Sequence, residues 1–534
     1  MNNILSILIF LPLVAALAII VLPSAFRERF KYIALATTVA QFFIALSIYL
    51  DFNSTADFAG VNKESQFQLL EKFSWIRLDL GSLGKLEIDY LLGIDGLSMP
   101  FLMLSALVMF VATLASWEIK TNLKAFFALL LLLNTAVMGV FCSLDFFLFY
   151  IFYELMLLPL YFLIGMWGGA RKEYAAIKFF LYTLFGSVFM LLVIIGLYFS
   201  VLNPGTGNHT FNMILMMDPA NYQGSSIFSI AANQSLLGIS ARLLAFIVLF
   251  VAFAIKIPIV PLHTWLPDAH VEAPTPVSII LAGLLLKVGG YGILRVCYSI
   301  FPEAAVQSAW WLGLIGVISI IYGALNALAQ TDLKRLIAYS SVSHMGFVLL
   351  GIASGTTEGV SGAILQMISH GGLSAMLFFL VGMLYNRVHD REIAHFRGLA
   401  LIMPQFTAFV MIAFFASLGL PGFSAFMAEA FSLIGAFTSE EVNGLLPRWM
   451  AIGGSVGILL SAAYFLWTLQ RMFFGLTRLK GGDEWLSRLK DVTIHEKFAL
   501  VPLAVLALAL GIFPSLVFGK MNASVLAFIQ MISG

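Results

Sequence analysis

A few ionisable side chains stand inside runs that are otherwise apolar. Glu154 lies in FLFYIFYELMLLPLYFLIGMWGG, Lys256 in LLAFIVLFVAFAIKIPIVPLHTW and Lys287 in VSIILAGLLLKVGGYGILR. His344 lies in YSSVSHMGFVLLGI, His370 in AILQMISHGGLSAMLFFL and Glu429 in FFASLGLPGFSAFMAEAFSLIGAF. Burial disfavours the charged form of such a group, and an opposite charge nearby favours it. A side chain held between those pulls can take up and release a proton without a cofactor. Inside a bilayer each such charge costs roughly 2.5–3.5 kcal/mol on insertion scales, so it is kept where it is used. These six residues are the candidate relay.

Each could instead be a structural ion-pair partner. Glu154, Lys256, Lys287 and His370 read better as relay groups, because none can reach a span end. His344 is evenly balanced. Lys178 is a weaker candidate, within a turn or so of the inner end of its span, where anchoring fits as well. Arg295 sits at the outer end of its span and is expected to snorkel. Asp332, Lys334 and Arg335 are expected to form an inside loop and anchor.

The elements that must carry these residues follow from composition. The chain has 534 residues, of which 61% are hydrophobic and 11% charged, against about 25% charged in a soluble domain. Its mean hydropathy is +0.97. That excludes an ordinary soluble globule and a disordered chain. The fold class is an all-α polytopic membrane protein. A net charge of +1 gives no sign of a nucleic-acid partner. The two cysteines, Cys142 and Cys297, are far apart, so neither an iron–sulfur cluster nor a metal site is expected. No GxGxxG or Walker-type loop is present.

Apolar runs predict about fourteen spans: 4–22, 31–50, 91–115, 124–141, 145–168, 175–201, 241–260, 274–298, 309–330, 334–355, 359–386, 404–437, 450–474 and 498–518. Alternating the loops places 18 of the 29 lysines and arginines on one side and 6 on the other. By the positive-inside rule both termini are then outside. Residues 74–90 alternate around a glycine-containing turn and predict a short hairpin. Residues 202–240 predict a non-spanning outside segment.

Prolines interrupt two spans at informative places. Pro258 and Pro261 follow Lys256, and Pro421 precedes Glu429. Unwound backbone at membrane depth is tolerated only against protein or a water-filled cavity. The layout divides the chain into N-terminal helices with an outside loop (1–123), a five-helix unit broken near Pro258 (124–298), a second unit broken near Pro421 (309–474), and an inside loop with a C-terminal helix (475–534). An odd number of spans per unit makes the repeats inverted, and paired broken helices mark a transport path.

The motifs containing these residues resemble a known family. LHTWLPDAHVEAPTPVSIILAGLLLKVGGYGILR (262–295), TDLKRLIAYSSVSHMGF (331–347), QMISHGGLSAMLFFLVG (366–382), LGLPGFSAFMAE (418–429) and YELMLLPLYFLIGMWG (153–168) are similar to the antiporter-like subunits of proton-pumping NADH–quinone oxidoreductase, respiratory complex I. LPDAHVEAP followed by LLLK, with LGIDGLSMPF at 92–101, is similar to its M-type branch. The resemblance implies that Glu154 modulates Lys256, the proton-carrying lysine of the broken seventh span. It implies that Lys287 is the central connecting lysine, that His344 and His370 relay onward, and that Glu429 is the terminal acid. Lys178, in KFFLYT, also matches. It further implies a bacterial plasma (inner) membrane, neighbouring antiporter-like and other membrane subunits, lipid, and a peripheral arm holding FMN, iron–sulfur clusters and a quinone reaction. This chain itself would hold no cofactor and no metal. The runner-up is a subunit of a multisubunit sodium/proton antiporter. A passive scaffold, with the charges as structural pairs, and a small-solute carrier are weaker readings.

Overall fold

The computed structural model describes residues 3–53, 64–79, 81, 85–231, 234–236 and 238–533. Its elements are helices joined mostly by short turns, plus one long hairpin and a long connection between Ser200 and Ala241 whose described residues hold only single helical turns and two-residue strands, with no spanning helix. Two helices, α1 (Ile4–Val21) and α2 (Phe30–Asp51), precede the hairpin of β1 (Gln68–Asp79) and β2 (Lys85–Ile94). There follow α3 (Met99–Ala115), α4 (Leu123–Cys142), α5 (Phe146–Leu155), α6 (Leu157–Trp167) and α7 (Lys172–Ser200). The first broken pair is α8 (Ala241–Lys256) and α9 (Trp265–Glu272). Then come α10 (Thr275–Tyr298), α11 (Pro302–Leu328), α12 (Leu333–Ala353) and α13 (Thr357–Val388). The second broken pair is α14 (Pro404–Ser417) and α15 (Ser424–Val442). The chain closes with α16 (Arg448–Phe473), α17 (Ile494–Ile512) and α18 (Ser515–Ser533).

Side-chain caps start several helices where free backbone N–H groups need acceptors. Asp145 caps α5, Asp332 caps α12 and Thr356 caps α13. Thr493 and Glu496 form a capping box on α17.

Thirteen of the described helices or fused pairs are long and apolar enough to cross a membrane. Each broken pair supplies a further crossing. Loop-to-loop bonds follow the alternation of ends. On the face rich in lysine and arginine, Trp167 Nε1 donates to Thr121 O, Arg171 faces Glu272, and Arg391 pairs with Asp332. On the opposite face, Tyr198 donates to Lys85 O, and residues 145 and 212 form an isolated bridge.

α18 qualifies by length, but its contacts make it a strap. Tyr49 donates to Leu516 O at 2.6 Å, Lys520 Nζ to Phe52 O at 2.8 Å, and Gly96 N to Ser524 Oγ at 2.9 Å. Phe528 stacks on Tyr298. These partners are the same-face ends of α2, α3 and α10, so α18 runs across them. The apolar pattern predicts a last span reaching residue 518. The helix instead stops before Pro514, where the chain turns. The 74–90 hairpin is confirmed and extends further along both strands; part of its turn lies outside the described residues.

The core is the set of helices that carry the candidate residues. The membrane windows of α10 and α13 are 100% buried and that of α12 is 94% buried, whereas α1 is 39% buried and α2 33%. Small residues let these helices close up. A Cβ on Gly346 of α12 would come within 2.7 Å of the Gly316 carbonyl of α11.

Two expectations are corrected. Arg295 does not snorkel. It is buried against Asp95 at 2.5 Å, with Tyr291 Oη 3.1 Å from Nε. The LGIDG turn delivers the carboxylate, so the arginine turns inward. Lys334 is not a solvated anchor either: it is buried and donates to Ala273 O at 2.6 Å, because Arg391 already occupies Asp332. Removing one partner of a buried ion pair strands the other. Asp95→Asn is therefore expected to destabilise the assembled protein by roughly 3–5 kcal/mol. Asp95→Leu combined with Arg295→Met is expected to recover most of that loss, and thermal unfolding in detergent checks both.

Candidate proton-relay site

The first broken helix presents Lys256. It is the last residue of α8, and the backbone unwinds immediately after it. The carbonyls and amides freed by the break find partners in the protein. Trp265 Nε1 donates to Ile255 O at 2.8 Å, and Val260 N donates to Ser319 Oγ at 3.2 Å. The indole thus closes the helix end while α9 departs in a new direction. The Lys256 ammonium lies 3.1 Å from the Tyr153 ring centroid and points toward Tyr153 O at 3.3 Å. Tyr153 is itself held by Phe149 and Phe253. Glu154, next in the chain, sits at the seam between α5 and α6, half-buried and within electrostatic reach of Lys256. Among the described residues no direct ion pair joins them. The two interact through space, so the state of one biases the other.

The central group is Lys287, fully buried in α10. The turn before it, Leu281–Leu285, is a π-helix. Wider winding frees carbonyls from their usual partners, a feature frequent at functional sites. Lys287 Nζ takes one of them, Ala282 O, at 2.5 Å. Its other partner is His370 Nδ1 on α13, at 2.7 Å. A nitrogen–nitrogen bond needs one donor and one acceptor. Lysine and histidine therefore share a single proton along that line.

The contacts continue along α13 to α12 and α15. The His370 and His344 rings lie 5.4 Å apart. His344 Nδ1 is 3.2 Å from Glu429 Oε1 and 3.4 Å from Gln366 Nε2. This nitrogen thus has two competing neighbours. When it carries a proton it faces the carboxylate; when bare it accepts from the amide. Glu429 is held against the second break. Gly419 there has φ +78°, and a Cβ on it would come within 2.8 Å of Glu429 Oε2. Only glycine meets both demands.

Around Glu429 gather buried polar atoms with no protein partner among the described residues. They include Ser417 Oγ, Ser432 Oγ and His344 Nε2. Buried polar groups are satisfied by protein or by water, so this is a place built for water. A cavity of about 10 Å³ adjoins it, lined by Ser340, Ser341, His344, His370, Ser374 and Ser417 among others. That is roughly the room one water needs.

The six candidates thus form two groups. Lys287, His370, His344 and Glu429 are contiguous, whereas Glu154 and Lys256 stand apart. Between the groups the packing is close: a Cβ on Gly289 would come within 2.7 Å of Ile257 N, and one on Gly290 within 2.2 Å of Met367 Sδ. Lys178 belongs to neither group. It pairs with Asp268 of α9 at 2.7 Å, and Arg335 approaches the same carboxylate at 3.6 Å. This cluster clamps α9 to α7 and α12.

One further histidine belongs with the site. His270 of α9 is fully buried, stacks on Phe378 with centroids 4.3 Å apart, and has neither ring nitrogen bonded to protein among the described residues. Lys287, Lys334 and His370 lie within its electrostatic reach. Beyond it, toward the basic face, opens a cavity of about 390 Å³ whose lining includes Glu272, Lys334 and Arg391. The only sequence signal was its place in LPDAHVEAP, where flanking polar residues give a loop-like profile.

The chain has relatives among known proteins. Residues 143–453 match a family described as the NADH:quinone oxidoreductase/Mrp antiporter transmembrane family. The chain is 39% identical to NADH-quinone oxidoreductase subunit M of Rhodobacter capsulatus, over 99% of this chain and 97% of that protein. It is 37% identical to NADH-ubiquinone oxidoreductase chain 4 of Chondrus crispus, over 98% and 96%. A chain of respiratory complex I from Thermus thermophilus superposes with a TM-score of 0.79 at 28% identity, covering 99% of this chain and 100% of that one. A chain of the Mrp complex from Dietzia shares the fold at 21% identity, with a TM-score of 0.77 and 99% of each chain covered. The chain belongs to the NADH:quinone oxidoreductase/Mrp antiporter transmembrane family.

Proposed function

We propose that this chain is a membrane subunit of NADH–quinone oxidoreductase that translocates protons, driven by quinone reduction in other subunits. The contiguous array of Lys287, His370, His344 and Glu429 carries the reading. Amines and imidazoles bind protons and have no affinity for sodium, which needs a cage of oxygens. That favours proton transfer over sodium/proton exchange. Contacts made by these groups are also too selective for a scaffold: a structural pair would set Lys287 on a carboxylate rather than on a carbonyl and an imidazole.

In this reading a proton held between Lys287 and His370 passes to His344, and from there to Glu429 and the water-accommodating pocket around it. Glu154 sets the charge state of Lys256, which acts on Lys287 across the close contact. His270 connects the basic-face cavity to the array. The two broken helices are the cores of two inverted five-helix units, 124–298 and 309–474. The chain itself holds no cofactor; FMN, iron–sulfur clusters and quinone belong to partner subunits. It sits in a bacterial plasma membrane with both termini outside, beside other antiporter-like subunits.

The test is made in the intact complex, purified through a tag on this chain and reconstituted in vesicles. Lys287→Met and Glu154→Gln are expected to assemble, yet to slow NADH-driven proton release by about 10²-fold or more, the scale of a positioned proton carrier. Loss of assembly with unimpaired release per assembled complex would establish the scaffold instead. NADH-independent exchange of sodium for protons by the same vesicles would establish the antiporter.

His270→Phe keeps a ring on Phe378 and is expected to leave assembly intact. It is expected to slow proton uptake from the basic face, measured with a pH-sensitive dye on that side. Wild-type uptake in this variant would reduce His270 to packing.

A further inference from the structure

On the basic face, away from the relay, three arginines converge without any acid. The two-residue strands β3 (Phe396–Arg397) and β4 (Arg478–Leu479) pair so that Arg397 stands directly opposite Arg478. Like charges set across a ladder repel. Arg471, in the last turn of α16, lies 4.6 Å over the Trp467 ring. Among the described residues none of the three makes an ion pair. Two neighbouring arginines at this face behave differently: Arg391 takes Asp332 and Arg387 takes Glu496.

The fold holds the three in place. Gly475 has φ +94°, and a Cβ there would come within 2.9 Å of Arg397 Nε. Gly398 has φ +74° and lies against the Thr477 backbone, where a Cβ would come within 2.8 Å. Both turns thus bring their arginines to one cavity of about 490 Å³, lined by Arg397, Arg471, Arg478, Trp467 and Gln470 among others. Trp467 marks the depth where indoles gather at a membrane surface. Beside the cavity Leu401, Phe474 and Leu476 are 74%, 44% and 86% exposed. An apolar flank next to a cationic pocket at headgroup depth has the form of a lipid: phosphate in the pocket, acyl chains along the flank.

We propose that this pocket seats the phosphate headgroup of an anionic phospholipid from the leaflet on the basic face. The lipid supplies the negative charge that Arg397, Arg471 and Arg478 lack, and it ties the β3–β4 pair to the end of α16. A free phosphate shares the headgroup chemistry but would make no use of the apolar flank.

The experiment uses the intact complex in nanodiscs containing photoactivatable phosphatidylglycerol or photoactivatable phosphatidylcholine. Crosslinked peptides are mapped by mass spectrometry. The anionic lipid is expected to label segments 393–401 and 467–478 in preference to the zwitterionic one. Each arginine replaced by glutamine is expected to weaken that labelling about fivefold. The triple variant R397K/R471K/R478K, which keeps the charge, is expected to retain most of it and serves as the folding control. Equal labelling by both lipids, or unchanged labelling in R397Q/R471Q/R478Q, would overturn the proposal. So would loss of labelling in millimolar inorganic phosphate, which would assign the pocket to a soluble anion.

Discussion

The bond between Lys287 and His370 is the constraint around which the core is arranged. Both groups are buried, neither has a carboxylate, and their nitrogens are 2.7 Å apart. They can share one proton, but two would leave a pair of like charges in contact inside a low-dielectric bundle. The pair is therefore a single titrating unit with two internal positions. The π-turn at Leu281–Leu285 serves this unit, since it turns the Ala282 carbonyl to the lysine. A regular α-turn would keep that carbonyl in the helix ladder and leave the amine with one partner fewer. Burial of the membrane windows of α10 and α13 excludes lipid from the same region.

The two broken helices meet a related problem by related means. A break at membrane depth exposes backbone groups that hydrocarbon cannot satisfy. At the first break Trp265 and Ser319 supply the missing partners. At the second, Leu420 N reaches back to Phe415 O and Phe423 N to Leu420 O. Gly419 makes room for the carboxylate that follows. In each case an ionisable side chain lies beside backbone that is already bent, rather than in the middle of a stiff rod. Lys256 is positioned by where α8 ends, and Glu429 by how α15 begins.

Much of this was legible in the sequence because charge inside an apolar run is conspicuous. Glu154, Lys256, Lys287, His344, His370 and Glu429 all stand out that way, and Pro258 and Pro421 mark the breaks. What escaped was polar chemistry embedded in polar sequence. His270 sits between Asp268 and Glu272, and Lys334 between Asp332 and Arg335, so both read as loop. In the fold those neighbours turn toward Lys178, Arg171 and Arg391, leaving His270 and Lys334 to face inward. Arg295 escaped for a different reason: its partner Asp95 is 200 residues away, and no local pattern reports a contact of that range. The π-turn was invisible because LAGLL reads like any other apolar stretch of a span. α18 escaped because Lys520, Asn522 and Ser524 interrupt its apolar run, and two of them are the groups that tie it across other helix ends.

The close contact between the two groups bears on how they communicate. Phe253, Ile257 and Gly289 pack tightly there. A proton does not have to cross for the groups to be coupled. Two unit charges about 10 Å apart at an effective dielectric near 20 interact by about 1.7 kcal/mol. That exceeds the free energy of a tenfold change in proton occupancy. In the proposed relay, a change of charge at Glu154 or Lys256 would bias the Lys287–His370 unit without direct contact. Separation of the groups and coupling between them are then the same design. In the proposed relay, electrostatics would carry the signal through this close packing.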